Sequence, residues 1–266
     1  MSNLENTVVA PTVAPSVTLS HVRKVYGGGT LARLFGDEGK VVFRDLSVSF
    51  APGDCVGIMG YSGEGKTTLT RLMMGLTDPT SGTITIDSLP PAHWQQAHPG
   101  DFAAVFQDST SALNPDVTVE DALAGVLRLK GTDPQAYRAQ MVETLEALGL
   151  SAQILSAYPH ELSGGQCQRV AIARALLSQA PITLFDEALS ALDAVHQTSV
   201  LQHLVRVRPE RSLWFFVSHD LEAVVTLCNR ILVVGEGGLL ADGTPEALLR
   251  SENPALRTLI KRCYWD

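Results

Sequence analysis

Residues 55–76 read CVGIMGYSGEGKTTLTRLMMGL, and this stretch decides the fold. The apolar run at 55–59 has the length of a buried β-strand, and apolar residues recur at helical spacing over residues 66–75. A glycine cluster separates the two segments. The stretch therefore predicts a strand, a tight loop and a helix in immediate succession.

The same alternation of apolar strands and helices continues along the chain and predicts a parallel sheet. The predicted strands are 17–22, 41–50, 55–59, 84–86, 102–106, 182–185 and 213–217. The predicted helices are 66–75, 119–129, 135–148, 163–177, 191–207 and one that begins at 221. The end of the sequence predicts a hairpin at 231–240 and two helices at 245–261.

The composition is that of an acidic chain with a sizeable core. Its 266 residues are 45% hydrophobic and 18% charged, which excludes disorder and repeat arrays, and their net charge is -8. An acidic balance argues against a general affinity for nucleic acid or anionic lipid, because both bind a surplus of Lys and Arg. Four dispersed cysteines without a CxxC pair indicate a reducing compartment and no structural zinc.

The first 16 residues show no periodicity, so we predict a flexible lead there. They also lack the basic start and the apolar run of a secretory signal. No segment reaches the roughly 20 apolar residues that span a bilayer. We therefore expect a cytoplasmic chain that reaches any membrane through a partner.

The glycine cluster carries the first functional motif. GYSGEGKT at residues 60–67 fits G-x-x-x-x-G-K-[ST], in which backbone N–H groups wrap a phosphate chain at the start of a helix. Lys66 would reach the β- and γ-phosphates, and Thr67 would offer its hydroxyl to Mg²⁺. The alternative is a glycine turn that happens to precede Lys-Thr. The position between a strand and a helix favours the nucleotide site.

Two carboxylates follow the apolar strand at 182–185, namely Asp186 and Glu187. Ligands of open α/β sheets bind beyond the carboxyl ends of the strands, so both side chains are predicted to face the phosphates. Asp186 would hold Mg²⁺ through water, and Glu187 would act as general base toward the attacking water. The alternative is an exposed acidic turn before the next helix, and the upstream glycine loop favours the metal site.

A second anion site is predicted where LSGGQ, residues 162–166, opens a helix. A Ser at the cap, two glycines and the positive helix end all suit a phosphate, although a glycine-rich helix start is the simpler alternative. Cys167 beside this motif is either a redox switch or a buried small apolar residue, and the second interpretation is favoured.

Together the three motifs make the chain resemble the ATP-binding subunits of ABC transporters over about residues 17–249. The resemblance implies an α/β fold, a P-loop NTPase with a RecA-like core, an antiparallel β subdomain and a helical subdomain. By this resemblance the ATPase domain spans residues 17–250, with the helical subdomain at about 108–180 and a C-terminal tail at 251–266.

The resemblance also implies roles for four residues outside the motifs. Tyr26 matches the aromatic residue that stacks on adenine, and Gln107 matches the glutamine that joins Mg²⁺ and senses the membrane subunits. Asp193 matches the aspartate of the dimer-contacting loop, and His219 matches the histidine at the γ-phosphate. Each residue taken singly has a simpler interpretation. These are, in the same order, a loop tyrosine, a strand-end amide, a helix-surface charge and a turn residue. Their joint order and spacing favours the ATPase roles.

The implied site has five parts. Glu187 and His219 are catalytic, Thr67, Gln107 and Asp186 surround Mg²⁺, and Asp193 lies in the dimer loop. The implied ATP contacts are Tyr26, Gly60, Tyr61, Ser62, Gly63, Glu64, Gly65, Lys66, Thr67, Thr68 and Gln107. The implied contacts across the dimer are Ser163, Gly164, Gly165 and Gln166.

Two departures from the family pattern bear on the chemistry. Glu64 stands where members often carry Ser, and Ala188 and Leu189 stand where they often carry Pro and Thr. A carboxylate so close to a polyphosphate predicts a weaker nucleotide affinity, since like charges repel at short range. Because both Glu187 and His219 are present, we still predict a site that hydrolyses ATP.

The resemblance implies a head-to-tail dimer with a second, different ABC ATPase, in which each signature closes over the ATP of the other subunit. Two membrane-spanning permease subunits and, indirectly, an extracytoplasmic solute-binding protein complete the assembly, at the cytoplasmic face of the cell membrane and without nucleic acid. Residues 106–115 and the insertion at 27–40 look like the branch that serves peptide, nickel and metal-opine importers, and residues 186–193 look most like its nickel-type members.

Two other classes stay open on the sequence. The chain would fit a soluble ABC ATPase acting on nucleic acid or ribosomes, although those usually join two ATPase units or carry a long coiled coil. It would also fit a non-catalytic component that binds ATP as a switch in a larger complex. His93 and His98 are predicted to lie in a solvated polar loop and not to bind metal.

Overall fold

The computed structural model describes residues 14–27, 39–108 and 112–265, with side chains described up to residue 261. Within those ranges the strands are β1 Val17–Tyr26, β2 Lys40–Phe50, β3 Cys55–Met59, β4 Ser81–Ile86, β5 Phe102–Val105, β6 Ile182–Asp186, β7 Leu213–Val217, β8 Arg230–Gly235 and β9 Gly238–Gly243. The helices are α1 Lys66–Met73, α2 Pro91–Ala97, α3 Val119–Leu129, α4 Pro134–Ala147, α5 Gly164–Leu177, α6 Ala194–Val207, α7 Leu221–Leu227, α8 Pro245–Leu249 and α9 Pro254–Trp265.

The larger sheet has the strand order β5-β6-β7-β3-β8-β9, in which the first five strands are parallel and β9 is antiparallel to β8. Every residue of β3, β6 and β7 is buried, as apolar strands covered on both faces require. Successive side chains alternate, so Cys55 and Met59 join one apolar core while Val56 and Ile58 join the other. The sheet therefore lies between two packed layers.

A second, antiparallel sheet of order β2-β1-β4 covers one of these layers. Phe43, Leu46 and Phe50 of β2 are fully buried and share a core with Leu69 and Leu72 of α1. The parallel core is the one that the sequence pattern predicts, and the antiparallel β subdomain is the one that the family resemblance implies.

The helices between β5 and β6 form a small layer of their own. Thr118 caps α3 by accepting a hydrogen bond from the Asp121 backbone N–H, and Asp133 caps α4 in the same way. Leu123 of α3 and Leu145 of α4 are fully buried against α5. The bounds of α3 are those predicted, because apolar periodicity and a side-chain cap agree at its start.

Some predicted elements differ from the observed ones. The predicted polar loop with His93 and His98 is wrong, because Pro91–Ala97 forms helix α2, which Trp94 anchors in the core. The helix contributes a single large buried side chain, so its sequence lacks the apolar periodicity that would predict a helix. The imidazole of His98 stacks on Trp94 at 4.7 Å. Helix α6 begins at Ala194 and not at 191, since Asp193 is its N-cap.

Both ends of the described chain are packed. Ala14 is buried and its N–H donates to the Arg211 carbonyl at 3.1 Å, so the predicted flexible lead ends before residue 16, while residues 1–13 lie outside the described ranges. Leu256 and Leu259 of α9 are buried in the core, so the predicted C-terminal tail is largely helix. Of the insertion at 27–40, residues 28–38 also lie outside the described ranges. Within those ranges, no helix combines the length and apolarity needed to cross a bilayer.

Candidate active site

The glycine loop joins β3 to α1 and depends on glycine at two positions. Gly60 has φ 152, and a Cβ there would collide with the Val234 carbonyl oxygen at the end of β8. Gly65 has φ 109, and its Cβ would lie 2.7 Å from Val42 Cγ1 in β2. Gly65 is the N-cap of α1 and, as a glycine, has no side chain with which to cap that helix. The loop therefore leads into a helix start of the kind that binds a phosphate chain.

Lys66 supplies the positive charge of this loop. The residue is 7% exposed, and its ammonium donates to the Gly60 carbonyl at 2.8 Å and to the Tyr61 carbonyl at 3.1 Å. The loop thus folds around the ammonium and holds it beside the positive end of α1. Both charges attract an anion to the same place.

Gly60 and Gly63 both have positive φ, but only Gly60 is tightly packed, so substituting each by alanine tests the packing of the loop against β8. Gly60→Ala is expected to lower the free energy of unfolding by about 1–3 kcal/mol more than Gly63→Ala, because a Cβ at Gly60 overlaps the backbone of β8. Gly63 has φ 83, and within the described ranges no atom beyond its chain neighbours lies within 4 Å of its Cβ position, so its substitution reports mainly backbone strain. Urea unfolding of both variants measures the difference, and equal losses would show that Gly60 is not packed against β8.

Asp186 ends β6 and faces α1. The residue is 9% exposed, and Oδ2 accepts a hydrogen bond from the Thr70 hydroxyl at 3.5 Å. Burial raises the pKa of Asp186, and the neighbouring Glu187 charge raises it further, while the Thr70 hydrogen bond lowers it. A buried carboxylate tied to the helix that begins with Lys66 and Thr67 fits a Mg²⁺ ion, which would favour its ionised form.

Glu187 and His219 come from neighbouring strands. Glu187 directly follows β6, His219 lies two residues beyond β7, and Glu187 Oε1 is 3.0 Å from His219 Nε2. Glu187 has φ 50, a backbone conformation that few residues other than glycine adopt. Its N–H donates to the Val217 carbonyl at 3.0 Å. The structure therefore brings together the two residues that the sequence predicts as catalytic.

The LSGGQ segment forms a complete helix start on α5. Ser163 Oγ accepts from the Gln166 N–H at 3.3 Å, and Gln166 Oε1 accepts from the Ser163 N–H at 2.9 Å, so the two residues form a capping box. Ser163 and Gly164 are exposed. Cys167 is fully buried and burial raises the pKa of its thiol, as the interpretation as a small apolar residue predicts.

Tyr26, Gln107 and Asp193, which are predicted outside the three motifs, lie at exposed positions. Tyr26 ends β1 with the Lys24 ammonium 4.8 Å from its ring centroid, and Gln107 follows β5. Asp193 caps α6, where Oδ1 accepts from the His196 N–H at 3.0 Å and Oδ2 lies 2.7 Å from His196 Nδ1. The backbone hydrogen bond from His196 lowers the pKa of Asp193, and the imidazole lowers it further. The alternative interpretation of Asp193 as a helix-surface charge is thus refined to an N-cap, and its role in a dimer loop stays a prediction.

Two polar side chains of α5, the buried Gln168 and the partly buried Arg174, make contacts that the sequence does not predict. Gln168 donates to the Phe106 carbonyl at 3.3 Å, and Arg174 donates to the Ala112 carbonyl at 3.0 Å, so α5 holds the chain on both sides of Gln107. Burial lowers the pKa of Arg174. Polar residues on the inner face of an otherwise apolar helix were the available signal.

A glycine loop between a parallel strand and a helix, with acidic residues at the end of β6, two strands away in the same sheet, defines a nucleoside triphosphatase of the P-loop class. The sequence matches the family described as ABC transporter over residues 43–190. The chain belongs to this family; it binds ATP with Mg²⁺ and hydrolyses ATP.

The chain is also similar to known ATP-binding proteins of this family in sequence and in structure. The chain is 35% identical to the metal-staphylopine import system ATP-binding protein CntF of Staphylococcus aureus, over 92% of this chain and 98% of the relative. It is 34% identical to the nickel import ATP-binding protein NikE of Rhodospirillum rubrum, over 93% and 91%. Its fold matches a dimeric, post-hydrolysis ATP-binding cassette bound to ADP and Pi with a TM-score of 0.73 and 27% identity, over 86% of this chain and 98% of that one.

Proposed function

We propose that this chain is the ATP-hydrolysing subunit of an ABC importer. The observation that carries the proposal is its similarity, along nearly the whole chain, to ATP-binding proteins of two import systems. Substrate in such systems would be selected by other subunits. A nickel ion or a metal chelate is the proposed class of solute, since the names of both relatives refer to metal import, and a peptide is the alternative.

In the proposed site, the glycine loop from Gly60 to Thr67, together with Thr68, holds the phosphates of ATP, and Tyr26 stacks on the adenine. Lys66 provides the central positive charge, because its ammonium already lies inside the loop. Thr67, Gln107 and Asp186 would hold Mg²⁺, which neutralises charge on the phosphates when it is bound.

Glu187 is the proposed general base. One of its carboxylate oxygens accepts a proton from the attacking water as that water's oxygen bonds to the γ-phosphorus. The bond from the γ-phosphorus to the bridging oxygen breaks, and ADP keeps the electron pair. His219, 3.0 Å from Glu187 Oε1, positions this carboxylate and would contact the γ-phosphate.

The signature on α5 is proposed to act on the ATP of a partner subunit. Its exposed Ser163 and Gly164 lie at a helix start, which attracts phosphate, and the Asp193 loop would contact the partner. We propose a head-to-tail dimer with a second ABC ATPase, bound to two permease subunits at the cytoplasmic face of the cell membrane. The solute-binding protein would act from the other side. The proposed ATPase domain spans residues 17–250, with its helical subdomain at about 108–180.

Ser163→Ala is expected to lower ATP turnover by the dimer about 10²–10³-fold while ATP still binds the isolated subunit, because it removes a polar contact across the dimer. It also removes a helix cap, which costs about 1 kcal/mol. Thr118→Ala is the matched control, since it removes the cap of α3 away from the signature. Equal turnover of the two variants would leave only the capping role for Ser163.

Co-purification tests the proposed importer. The tagged chain is recovered from detergent-solubilised membranes, beside an untagged control, and the bound proteins are identified by mass spectrometry. Two membrane-spanning subunits and a second ABC ATPase are expected. Recovery of soluble proteins or nucleic acid alone would contradict the importer and support an ATP-driven switch in another complex.

A further inference from the structure

Glu64 lies within the glycine loop, but its carboxylate accepts a hydrogen bond from outside the loop. Its Oε2 accepts from the Glu236 backbone N–H at 3.1 Å. Glu236 and Gly237 are the two residues between β8 and β9, and both have positive φ, 52 and 80. A two-residue turn with two positive φ angles is a tight hairpin turn of fixed geometry. The Glu64 carboxylate is therefore hydrogen-bonded to a rigid hairpin turn.

The same turn also holds the antiparallel sheet. The Gly237 carbonyl accepts from the Arg44 N–H in β2 at 2.8 Å. A Cβ on Gly237 would lie 3.3 Å from Arg44 Cγ, so the turn and the strand are in close contact. β2 pairs with β1, and Lys40 is the register partner of Tyr26. The turn thus connects the glycine loop with the strand pair that carries the predicted adenine contact.

The glycine loop has little freedom between these neighbours. Gly60 is packed against Val234, the residue two positions before the turn, and Gly65 is packed against Val42 and Phe43 of β2. A movement of the turn would therefore change the space that the loop occupies. The Glu64 hydrogen bond joins the loop to the turn at the point between these two contacts.

We propose that Glu64 is a positioning residue for ATP binding. Its hydrogen bond to the Glu236 N–H holds the hairpin turn, the glycine loop and β2 in one arrangement. The carboxylate is directed to the turn, so this proposal has the opposite sign to the sequence expectation that Glu64 weakens nucleotide affinity. It rests on the proposed phosphate-binding role of the glycine loop.

The variants Glu64→Gln and Glu64→Ala separate the hydrogen bond from the charge. Both remove the negative charge, but only Gln keeps an acceptor oxygen at the same reach. We expect ATP to bind Glu64→Ala about three- to tenfold more weakly than Glu64→Gln, the range of one hydrogen bond. We also expect the Glu236 amide to exchange about tenfold faster in Glu64→Ala than in Glu64→Gln when nucleotide is absent.

Isothermal titration with ATP and hydrogen exchange of the peptide that contains the turn measure these two differences. Equal exchange in the two variants would overturn the proposal, and so would equal ATP affinities that both exceed the wild-type value, which is the result that charge repulsion predicts. The exchange experiment contains no nucleotide. It therefore tests the hydrogen bond even if the glycine loop did not hold the phosphates.

Discussion

We expect Glu187→Gln to lower the turnover of ATP by about 10²–10⁴-fold, because a carboxamide cannot accept the proton of the attacking water. The affinity for ATP should stay at the wild-type value. The substitution keeps the shape of the side chain, and its oxygen can still accept a hydrogen bond from His219. The measurement is steady-state release of phosphate together with the affinity for ATP. The loss is expected in kcat.

Glu246→Gln is the matched control for this prediction. Glu246 is an exposed glutamate in the first turn of α8, outside the strand ends that carry Glu187 and His219. The control should turn over ATP at the wild-type rate. A Glu187→Gln variant that is as active as this control would remove Glu187 from the chemistry and place the general base elsewhere.

Lys66→Ala is expected to lower kcat/KM for ATP by about 10²–10³-fold, with much of the loss in binding. The substitution removes the charge at the centre of the glycine loop and the donor to the Gly60 and Tyr61 carbonyls. The measurement is nucleotide affinity alongside turnover, with thermal unfolding in the absence of ATP as a check on the fold.

Lys261→Ala removes the same charge from an exposed position on α9 and serves as the control. Its kinetics should equal those of the wild type. If Lys66→Ala unfolds at the wild-type temperature and binds ATP as tightly as this control, the loop is not the phosphate site.

Local signals predicted much of the fold. Helix α3 was placed at its observed bounds because Thr118 and the apolar periodicity act within a few residues of each other. β3, the glycine loop and α1 were predicted for the same reason. Helix α2 was missed because its position depends on one buried side chain, Trp94, and not on a periodic face.

The site was predictable to the extent that strand order determines it. Asp186 ends β6, Glu187 follows it, and His219 lies just beyond the adjacent strand β7, so topology alone brings them together. The partners of Thr70 and Glu64 are 116 and 172 residues away along the chain, and no local pattern indicates such contacts. For this reason the sequence suggested repulsion at Glu64, whereas the structure shows a hydrogen bond to the hairpin turn.

ATP-driven uptake by the co-purified complex in lipid vesicles tests the central claim most directly. The probe is radioactive Ni²⁺ supplied with an organic chelator and the solute-binding protein on one side, with ATP on the side of this chain. The account predicts accumulation that requires ATP and is lost when this chain carries Glu187→Gln. Accumulation that survives the substitution, or that proceeds without ATP, would contradict the claim that this chain powers import.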